Sequence, residues 1–177
     1  LDDCDMDIML AIDNCPNQIV LFGQNVEIEK VSVELGKLGG LCARLPFGRA
    51  YHTPLFEGVS SAFGKFYQTA DFGPGHTQLY SCATTELFND DSDDIRALAN
   101  SQWSSCVRFR ETIERMHSEG FRVFIEAGPA GNLTSFVQDT LRDSDSSLVV
   151  ASNSRRRAGL EQLQHTLGRL FAAGVEM

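Results

Sequence analysis

The chain has 177 residues, of which 42% are apolar and 22% are charged, and this length suits one domain of ordinary size. The composition excludes a disordered tail, a collagen-like fibre and a coiled coil, and no apolar run approaches the roughly 18 residues of a membrane-spanning helix. The formal net charge of −9 disfavours nucleic-acid binding and attachment to a membrane surface, because both of those partners are themselves negatively charged.

The first 48 residues predict a small layer that is rich in β-structure. Two apolar runs, residues 7–13 and 18–23, are predicted strands, and the Asn-Cys-Pro-Asn link between them is typical of a turn. A helix is predicted over residues 24–40, which end in two glycines, and a third strand over residues 41–47. The order strand, strand, helix, strand is half of a split βαβ unit.

The middle of the chain predicts a polar loop followed by two helices with a strand between them. The loop covers residues 48–54, and residues 55–68 form the first helix, with an apolar stripe along one face. Residues 78–83 are predicted to form a strand. The second helix covers residues 92–99, and its acidic start suits the positive end of a helix dipole.

The last third of the chain predicts alternating helices and strands. Helices are predicted at residues 106–118, 132–142 and 155–173, and strands at residues 122–127 and 147–151. Because both strands are apolar throughout, the pattern predicts a parallel sheet that is covered by helices. We therefore expect an α/β fold with a small subdomain over residues 1–48 and a larger one over residues 49–177.

The five cysteines and four histidines are scattered along the chain. No two cysteines form a CxxC pair, and an odd number does not suit a disulfide framework. The first five residues (LDDCD) are acidic and lack the basic start of a signal peptide. We therefore expect reduced thiols in a cytoplasmic protein and no metal site.

His52 is the first candidate for chemistry, because it lies in a loop after a predicted strand. Histidine suits a general base, since imidazole gains and loses a proton near neutral pH, and the alternative is an ordinary surface histidine. A nucleophile elbow, G-x-S-x-G, is absent from the sequence. The nearest string, residues 58–62 (GVSSA), lies inside a predicted helix with no strand before it. The residues alone indicate a base without its nucleophile.

Three other features have both a functional and an ordinary interpretation. Residues 128–131 (GPAG) join a predicted strand to a helix, and they either cradle a phosphate at the helix N-terminus or form a tight turn. Arg155, Arg156 and Arg157 are either a solvated helix start or a contact for an acidic partner or a phosphate. Trp103 is expected in the core.

Three passages of the sequence resemble malonyl/acyl-CoA:carrier-protein acyltransferases. Residues 13–23 (DNCPNQIVLFG) resemble the family's N-S-P-x-x-x-V-x-x-G, and residues 49–55 (RAYHTPL) resemble x-A-F-H-S-P-L. Residues 120–133 (GFRVFIEAGPAGNL) resemble G-x-x-x-F-x-E-x-G-P-x-x-x-L. The order and spacing also agree, so the resemblance covers essentially the whole chain. The chain resembles acyltransferase domains of modular or iterative polyketide synthases, and residues 14–18 (NCPNQ) and 80–84 (YSCAT) suggest the iterative enediyne or polyunsaturated-fatty-acid synthase type.

This resemblance implies both a fold and a mechanism. The fold is a partial α/β-hydrolase-like parallel sheet with helices, together with the second half of a small ferredoxin-like subdomain. The mechanism is ping-pong acyl transfer, in which a serine in G-H-S-x-G takes an acyl group from coenzyme A. The serine then passes the group to the phosphopantetheine thiol of an acyl carrier protein. The implied partners are malonyl-CoA or a related acyl-CoA, the carrier protein and neighbouring synthase domains, and no bound cofactor is implied.

The resemblance also assigns site residues by motif position. His52 is implied to be the catalytic base, with Tyr51, Asn14 and Gln102 on the substrate side of the site. Tyr51 would shape the acyl pocket toward malonyl, and Asn14 would line the small-subdomain wall of the cleft. Gln102 aligns with the position whose backbone carbonyl accepts the other N–H of the histidine and so fixes its tautomer. Arg49 replaces a histidine that is frequent in the family, which leaves the selectivity open.

The family's serine, its oxyanion-hole region and its malonate-binding arginine all precede the passages matched here. None of them is present in the 177 residues. We therefore expect the C-terminal part of an acyltransferase domain, inactive without the N-terminal part that holds the serine. The alternative is a non-catalytic docking piece of a megasynthase that binds the carrier protein through residues 155–157.

Overall fold

A computed structural model describes residues 8–73, 75–89, 91–144 and 147–176 of the chain. The strands are β1 (Ile8–Cys15), β2 (Gln18–Gly23), β3 (Val107–Arg108), β4 (Val123–Glu126) and β5 (Leu148–Ala151). The helices are α1 (Asn25–Lys37), α2 (Glu57–Thr69), α3 (Ser92–Ser101), α4 (Phe109–Ser118), α5 (Asn132–Thr140) and α6 (Gly159–Ala172), and a 3-10 turn (Pro54–Phe56) precedes α2. Within the described ranges, no helix combines the length and apolar character needed to cross a membrane.

The chain forms two compact units, and the short segment of residues 14–18 belongs to the second unit although its flanking residues belong to the first. Of the described residues, 8–13 and those between 19 and 108 belong to the first unit, and 14–18 and those between 109 and 176 belong to the second. The division therefore falls after β3 and cuts the end of β1. The subdomain boundary near residue 48 stays a prediction.

The first unit contains a sheet with the strand order β2-β1-β3. β3 runs parallel to β1, with Ile12 opposite Val107. The strand predicted at residues 41–47 is wrong, because these residues form no strand and Leu41 is fully exposed. Pro46 removes one backbone donor from that run, and the sheet position beside β1 is taken by β3 instead. β3 has only two residues, too few to give an alternating pattern in the sequence.

Helices α2 and α3 pack against each other in the first unit. Asp91 caps the N-terminus of α3, and its carboxylate accepts hydrogen bonds from the amides of Asp93 and Asp94 at 2.8 and 3.1 Å. This N-cap satisfies two backbone donors that would otherwise lack a partner at the helix start. The packing places residues 102 and 103, which follow α3 directly, beside the loop that precedes α2.

The strand predicted at residues 78–83 is also wrong. Only an isolated antiparallel bridge between Tyr80 and Leu87 forms there. The amide of Thr85 donates to the carbonyl of Ser81 at 2.7 Å, and Thr85 has a positive φ of 63°. Residues 82 and 83 therefore lie in a turn, so the run cannot stay extended over its predicted length.

The second unit is built on two parallel strands. β4 and β5 pair from Val123 opposite Leu148 to Glu126 opposite Ala151. One face of the pair carries the apolar core, which comprises Ile113, Phe124, Val137, Leu141 and Val149. α4 and α5 supply the helical side of this core. The predicted parallel sheet with covering helices, and with it the α/β fold, is confirmed.

Helix α6 is attached to the end of β5 by polar contacts. The carbonyl of Ala151 accepts hydrogen bonds from Nε2 of Gln162 at 2.7 Å and from Oγ1 of Thr166 at 2.8 Å. All three residues are buried, so these bonds satisfy polar groups that would be costly to bury alone. The apolar side chains of α6 are divided, since Leu170 is buried whereas Phe171 is exposed.

Candidate active site

His52 occupies a backbone position that is fixed from two sides. Its φ of 61° lies in the left-handed region, which is uncommon for a residue other than glycine. Its amide donates to the carbonyl of Trp103 at 2.9 Å. On the other side, the fully buried Thr53 donates its hydroxyl to the carbonyl of Ala50 at 2.7 Å. Such a strained position persists only where its surroundings hold it, and strained residues cluster at functional sites.

The imidazole of His52 is held in one orientation by the backbone that follows α3. Its Nδ1 lies 3.0 Å from the carbonyl oxygen of Gln102. A carbonyl can only accept a hydrogen bond, so Nδ1 carries the proton and Nε2 presents a lone pair. The contact expected between Gln102 and His52 is therefore present. The arrangement equips Nε2 to accept a proton from a substrate or a nucleophile.

Trp103, which was expected in the core, is half-buried and forms part of this site. Its ring is nearly parallel to that of His52, at 9° and a centroid distance of 6.4 Å, and to that of Phe63, at 16° and 4.8 Å. Its indole N–H donates to the hydroxyl of Tyr67 at 3.2 Å. Sequence reasoning missed Phe63 and Tyr67 as site residues. Their spacing of four on one helix face was the available signal.

Tyr51 directs its ring into an aromatic cluster. The ring centroid lies 4.7 Å from that of Phe56, 6.1 Å from that of Phe47 and 6.5 Å from that of Trp103. Phe56 is buried, so its ring is held in place and limits the movement of the Tyr51 ring that packs on it. The structure thus brings Tyr51, His52 and Gln102 together in the first unit, while the part of Tyr51 in an acyl pocket stays a prediction.

Asn14 belongs to the segment that joins the second unit. Its side-chain amide donates to Oε1 of Gln18 across the turn between β1 and β2. Its part in substrate binding also stays a prediction. The contact to Gln18 stabilises the turn between β1 and β2, whether or not a substrate is bound.

The same segment contains a cluster that sequence reasoning missed. The carboxylate of Asp139 on α5 accepts from the amide of Asn17 at 3.2 Å and from its side-chain Nδ2 at 2.7 Å. A hydrogen bond from the thiol of Cys15 is the main cause that lowers the pKa of Asp139. Burial, followed by that hydrogen bond, raises the pKa of Cys15 above its ordinary value of 9.0. The residues are more than 100 positions apart, so no local pattern indicates the cluster.

The Gly-Pro-Ala-Gly turn before α5 is closed by a carboxylate from the preceding strand. Oε2 of Glu126 accepts from the amide of Thr134 at 2.7 Å and from its hydroxyl at 2.8 Å. Ala130 and Gly131 both have positive φ values, of 82° and 79°. Because Glu126 already supplies a negative charge to the start of α5, the tight-turn interpretation is favoured over a phosphate cradle.

The central serine of the string GVSSA is not available as a nucleophile. Its central residue, Ser60, lies in α2, is buried, and donates its hydroxyl to the carbonyl of Glu57 at 2.8 Å. The interpretation as a chance match is therefore favoured. Among the residues that the structure describes, no group of three or more His, Cys, Asp and Glu side chains is arranged to hold a metal ion.

The profile of the acyl transferase domain family matches residues 1–177, the whole chain. Among curated proteins, a polyunsaturated fatty acid synthase polypeptide of Thraustochytrium sp. is 29% identical over 173 residues, covering 96% of this chain and 6% of that polypeptide. The malonyl CoA-acyl carrier protein transacylase of Bacillus subtilis is 28% identical over 137 residues, covering 76% of this chain and 43% of the transacylase.

A solved structure gives the same result for the fold. The acyltransferase domain from the second module of the salinomycin polyketide synthase has a TM-score of 0.82 and 26% identity to this chain. The match covers 96% of this chain and 39% of that one. The chain therefore spans less than half the length of each of these relatives.

Proposed function

Because this chain belongs to the acyl transferase domain family, we propose that it supplies the general base of an acyltransferase active site. The reaction would move a malonyl-type group from coenzyme A to the phosphopantetheine thiol of an acyl carrier protein, in polyketide or fatty acid biosynthesis in the cytoplasm. The observation that carries the proposal is the 3.0 Å contact between His52 Nδ1 and the Gln102 carbonyl. This contact leaves Nε2 free to take up a proton.

In the first half of the proposed reaction, Nε2 of His52 removes the proton of a serine hydroxyl as the serine oxygen attacks the thioester carbonyl. The C–S bond breaks, the acyl-serine ester forms, and the coenzyme A sulfur leaves with the proton from Nε2. In the second half, Nε2 removes the proton of the phosphopantetheine thiol while its sulfur attacks the ester. The serine oxygen then leaves and regains the proton. The Gln102 carbonyl stabilises the transient imidazolium.

The serine is proposed to come from outside these 177 residues. They contain no G-H-S-x-G string, and the hydroxyl of Ser60 is engaged within α2. The relatives named above extend well beyond the matched region, which supports a further segment that carries the nucleophile. That N-terminal part would be a partner of this chain, and neighbouring synthase domains would be others. Tyr51 and Asn14 are proposed to contact the acyl group and the substrate.

The proposal is tested by intact-mass measurement after incubation with malonyl-CoA. The 177-residue chain should gain no malonyl group, whereas the complete domain with the serine-bearing segment should gain one on that serine. His52→Ala in the complete domain should abolish the adduct and leave carrier-protein binding intact. A malonyl group mapped to one of these 177 residues would overturn the proposal.

A non-catalytic docking role is the second candidate, and the exposure of Arg155 and Arg156 favours it. Among the described residues, neither arginine side chain has an ion pair, so both charges are available to an acidic carrier protein. Arg157 is engaged, since its Nη1 lies 3.4 Å from Oε1 of Gln162. Substituting His52 and the two arginines in separate variants distinguishes the roles, because the first change should affect acyl transfer and the second should affect carrier-protein binding.

A further inference from the structure

Trp103 connects the candidate base to helix α2 through four contacts. Its carbonyl accepts the amide of His52, and its ring is nearly parallel to the imidazole. Toward α2, the ring centroid of the indole lies 4.8 Å from that of Phe63, and the indole N–H donates to the hydroxyl of Tyr67 at 3.2 Å. Phe63 and Tyr67 are four residues apart on α2, so both reach Trp103 from the same helix face.

His52 needs such support because its own contacts are half-exposed. A hydrogen bond from Nδ1 to a carbonyl in contact with solvent competes with water, and its net contribution is small. A parallel aromatic ring restricts the rotation of the imidazole, but only while that ring is itself fixed. The hydroxyl of Tyr67 fixes the indole, because the N–H otherwise has to find another acceptor in a half-buried position.

We propose that Tyr67 and Trp103 are positioning residues for His52, with the Tyr67 hydroxyl acting through the indole to keep Nδ1 on the Gln102 carbonyl. This inference rests on the proposed function, in which His52 Nε2 is the base. Neither residue touches the reacting atoms. The hydrogen bond between Trp103 and Tyr67 would determine the population of the tautomer in which Nε2 presents its lone pair. It would not determine the affinity for acyl-CoA.

Two substitutions remove this hydrogen bond from opposite sides. Tyr67→Phe deletes the acceptor hydroxyl, and Trp103→Phe deletes the N–H donor while keeping an aromatic ring. Tyr67→Phe keeps the whole ring, and Trp103→Phe keeps much of the aromatic bulk that Trp103→Ala would remove. Tyr80→Phe is the matched control. It also deletes one tyrosine hydroxyl, but from a residue at another place in the fold, which bridges to Leu87. The double variant Tyr67→Phe, Trp103→Phe completes a double-mutant cycle.

The first measurement is the tautomer of His52, from the side-chain nitrogen shifts of the full chain labelled with ¹⁵N-histidine. His52→Gln identifies its signals among the four histidines. The wild-type chain should show the Nδ1–H form, and both single variants should lower its population while Tyr80→Phe leaves it unchanged. An unchanged tautomer in both single variants would overturn the inference, whatever the activity.

The second measurement is steady-state transfer by the complete domain. Each single variant should lower kcat about three- to tenfold, the factor that one neutral hydrogen bond represents, with KM for malonyl-CoA within about twofold of the wild-type value. The double variant should lose no more than either single one. A rise in KM at constant kcat, or fully additive losses, would overturn the inference. If His52→Ala keeps full activity, the proposed function fails, whereas the tautomer result still tests the Trp103 contact by itself.

Discussion

The backbone carbonyl of Gln102 lies 3.0 Å from Nδ1 of His52, and this contact defines which imidazole nitrogen is free. The group that holds the imidazole belongs to the main chain, and the side chain of Gln102 is bonded elsewhere, to the carbonyl of Ala99 at 3.1 Å. The identity of residue 102 should therefore matter much less than the presence of imidazole at position 52.

We expect His52→Gln to lower the transfer rate of the complete domain by about 10²- to 10⁴-fold, the usual contribution of a general acid–base group. Gln102→Ala should lower the rate by about threefold or less, because it removes only the bond to Ala99. Single-turnover formation of the acyl-serine measures both effects. Similar losses in the two variants would contradict the main-chain assignment.

Because the backbone at position 52 is left-handed, two substitutions of His52 that both abolish activity should differ in their effect on stability. Asparagine tolerates a φ of 61° better than most side chains, whereas a β-branched residue is strained there. We expect His52→Val to lower the free energy of unfolding by roughly 1–2 kcal/mol more than His52→Asn does. Urea unfolding measures the difference. Both variants should be inactive in transfer, and equal stabilities would show that the loop relaxes its backbone.

The α/β part of the fold could be predicted because each element carries its own signal. The centres of the predicted strands, residues 123–125 and 148–151, are apolar, and Gly120 and the Gly-Pro-Ala-Gly turn mark the two ends of the first strand. The runs at residues 41–47 and 78–83 are equally apolar but find no partner ladder, since strand formation depends on pairing that a single run does not encode.

The candidate site could be predicted only in part, for a similar reason. His52 and the carbonyl at Gln102 follow from a motif and an alignment of positions. The contacts of Trp103 to Tyr67 arise from the packing of α2 on α3, and the bonds of Asp139 to Asn17 span more than 100 residues. Tertiary packing created these contacts. The spacing of Phe63 and Tyr67 on one helix face indicated a shared contact surface but not its partner Trp103, and no local pattern indicated the bonds of Asp139.

The cluster around Asp139 should make stability depend on pH at the acidic end. Its pKa is lowered in the folded chain, chiefly by the hydrogen bond from Cys15, so folding favours the ionised carboxylate. This contribution is present above the ordinary value of 3.8 and is lost as the pH falls through the lower, folded-state value. We expect Asp139→Asn to remove that part of the acid-induced loss of stability, measured by urea unfolding in a pH series that runs from neutral pH to well below 3.8.

Asp143→Asn is the matched control, because Asp143 is almost fully exposed and lies beside the same Arg142. Its pH profile should follow that of the wild-type chain. If Asp139→Asn and Asp143→Asn change the profile equally, the pH dependence comes from net charge and not from the cluster.

Two isoleucines near strand β4 should respond differently to truncation. Ile113 packs in the core with Phe124 and is 5% exposed, whereas Ile125, on the strand's other face, is 50% exposed. Ile113→Ala should lower the free energy of unfolding by about 2–5 kcal/mol, because it leaves a cavity. Ile125→Ala should cost less than about 1 kcal/mol. Urea unfolding measures both, and equal losses would indicate that a second copy or another partner covers Ile125.

The arginines before α6 provide the test of carrier-protein docking. Arg155 and Arg156 are exposed, and an acidic partner would be attracted to both charges. If they form a docking contact, Arg155→Gln with Arg156→Gln should weaken carrier-protein binding about three- to tenfold, as expected for two exposed ion pairs, and should reduce its dependence on salt. Formation of the acyl-serine from malonyl-CoA should stay at the wild-type rate, because the malonyl group is transferred to the serine before the carrier protein takes part. Arg44→Gln is the control, since it removes an exposed arginine that is paired with Glu29 at 3.2 Å. A carrier affinity that is equal in the double variant and the control would rule out the arginines as the docking contact.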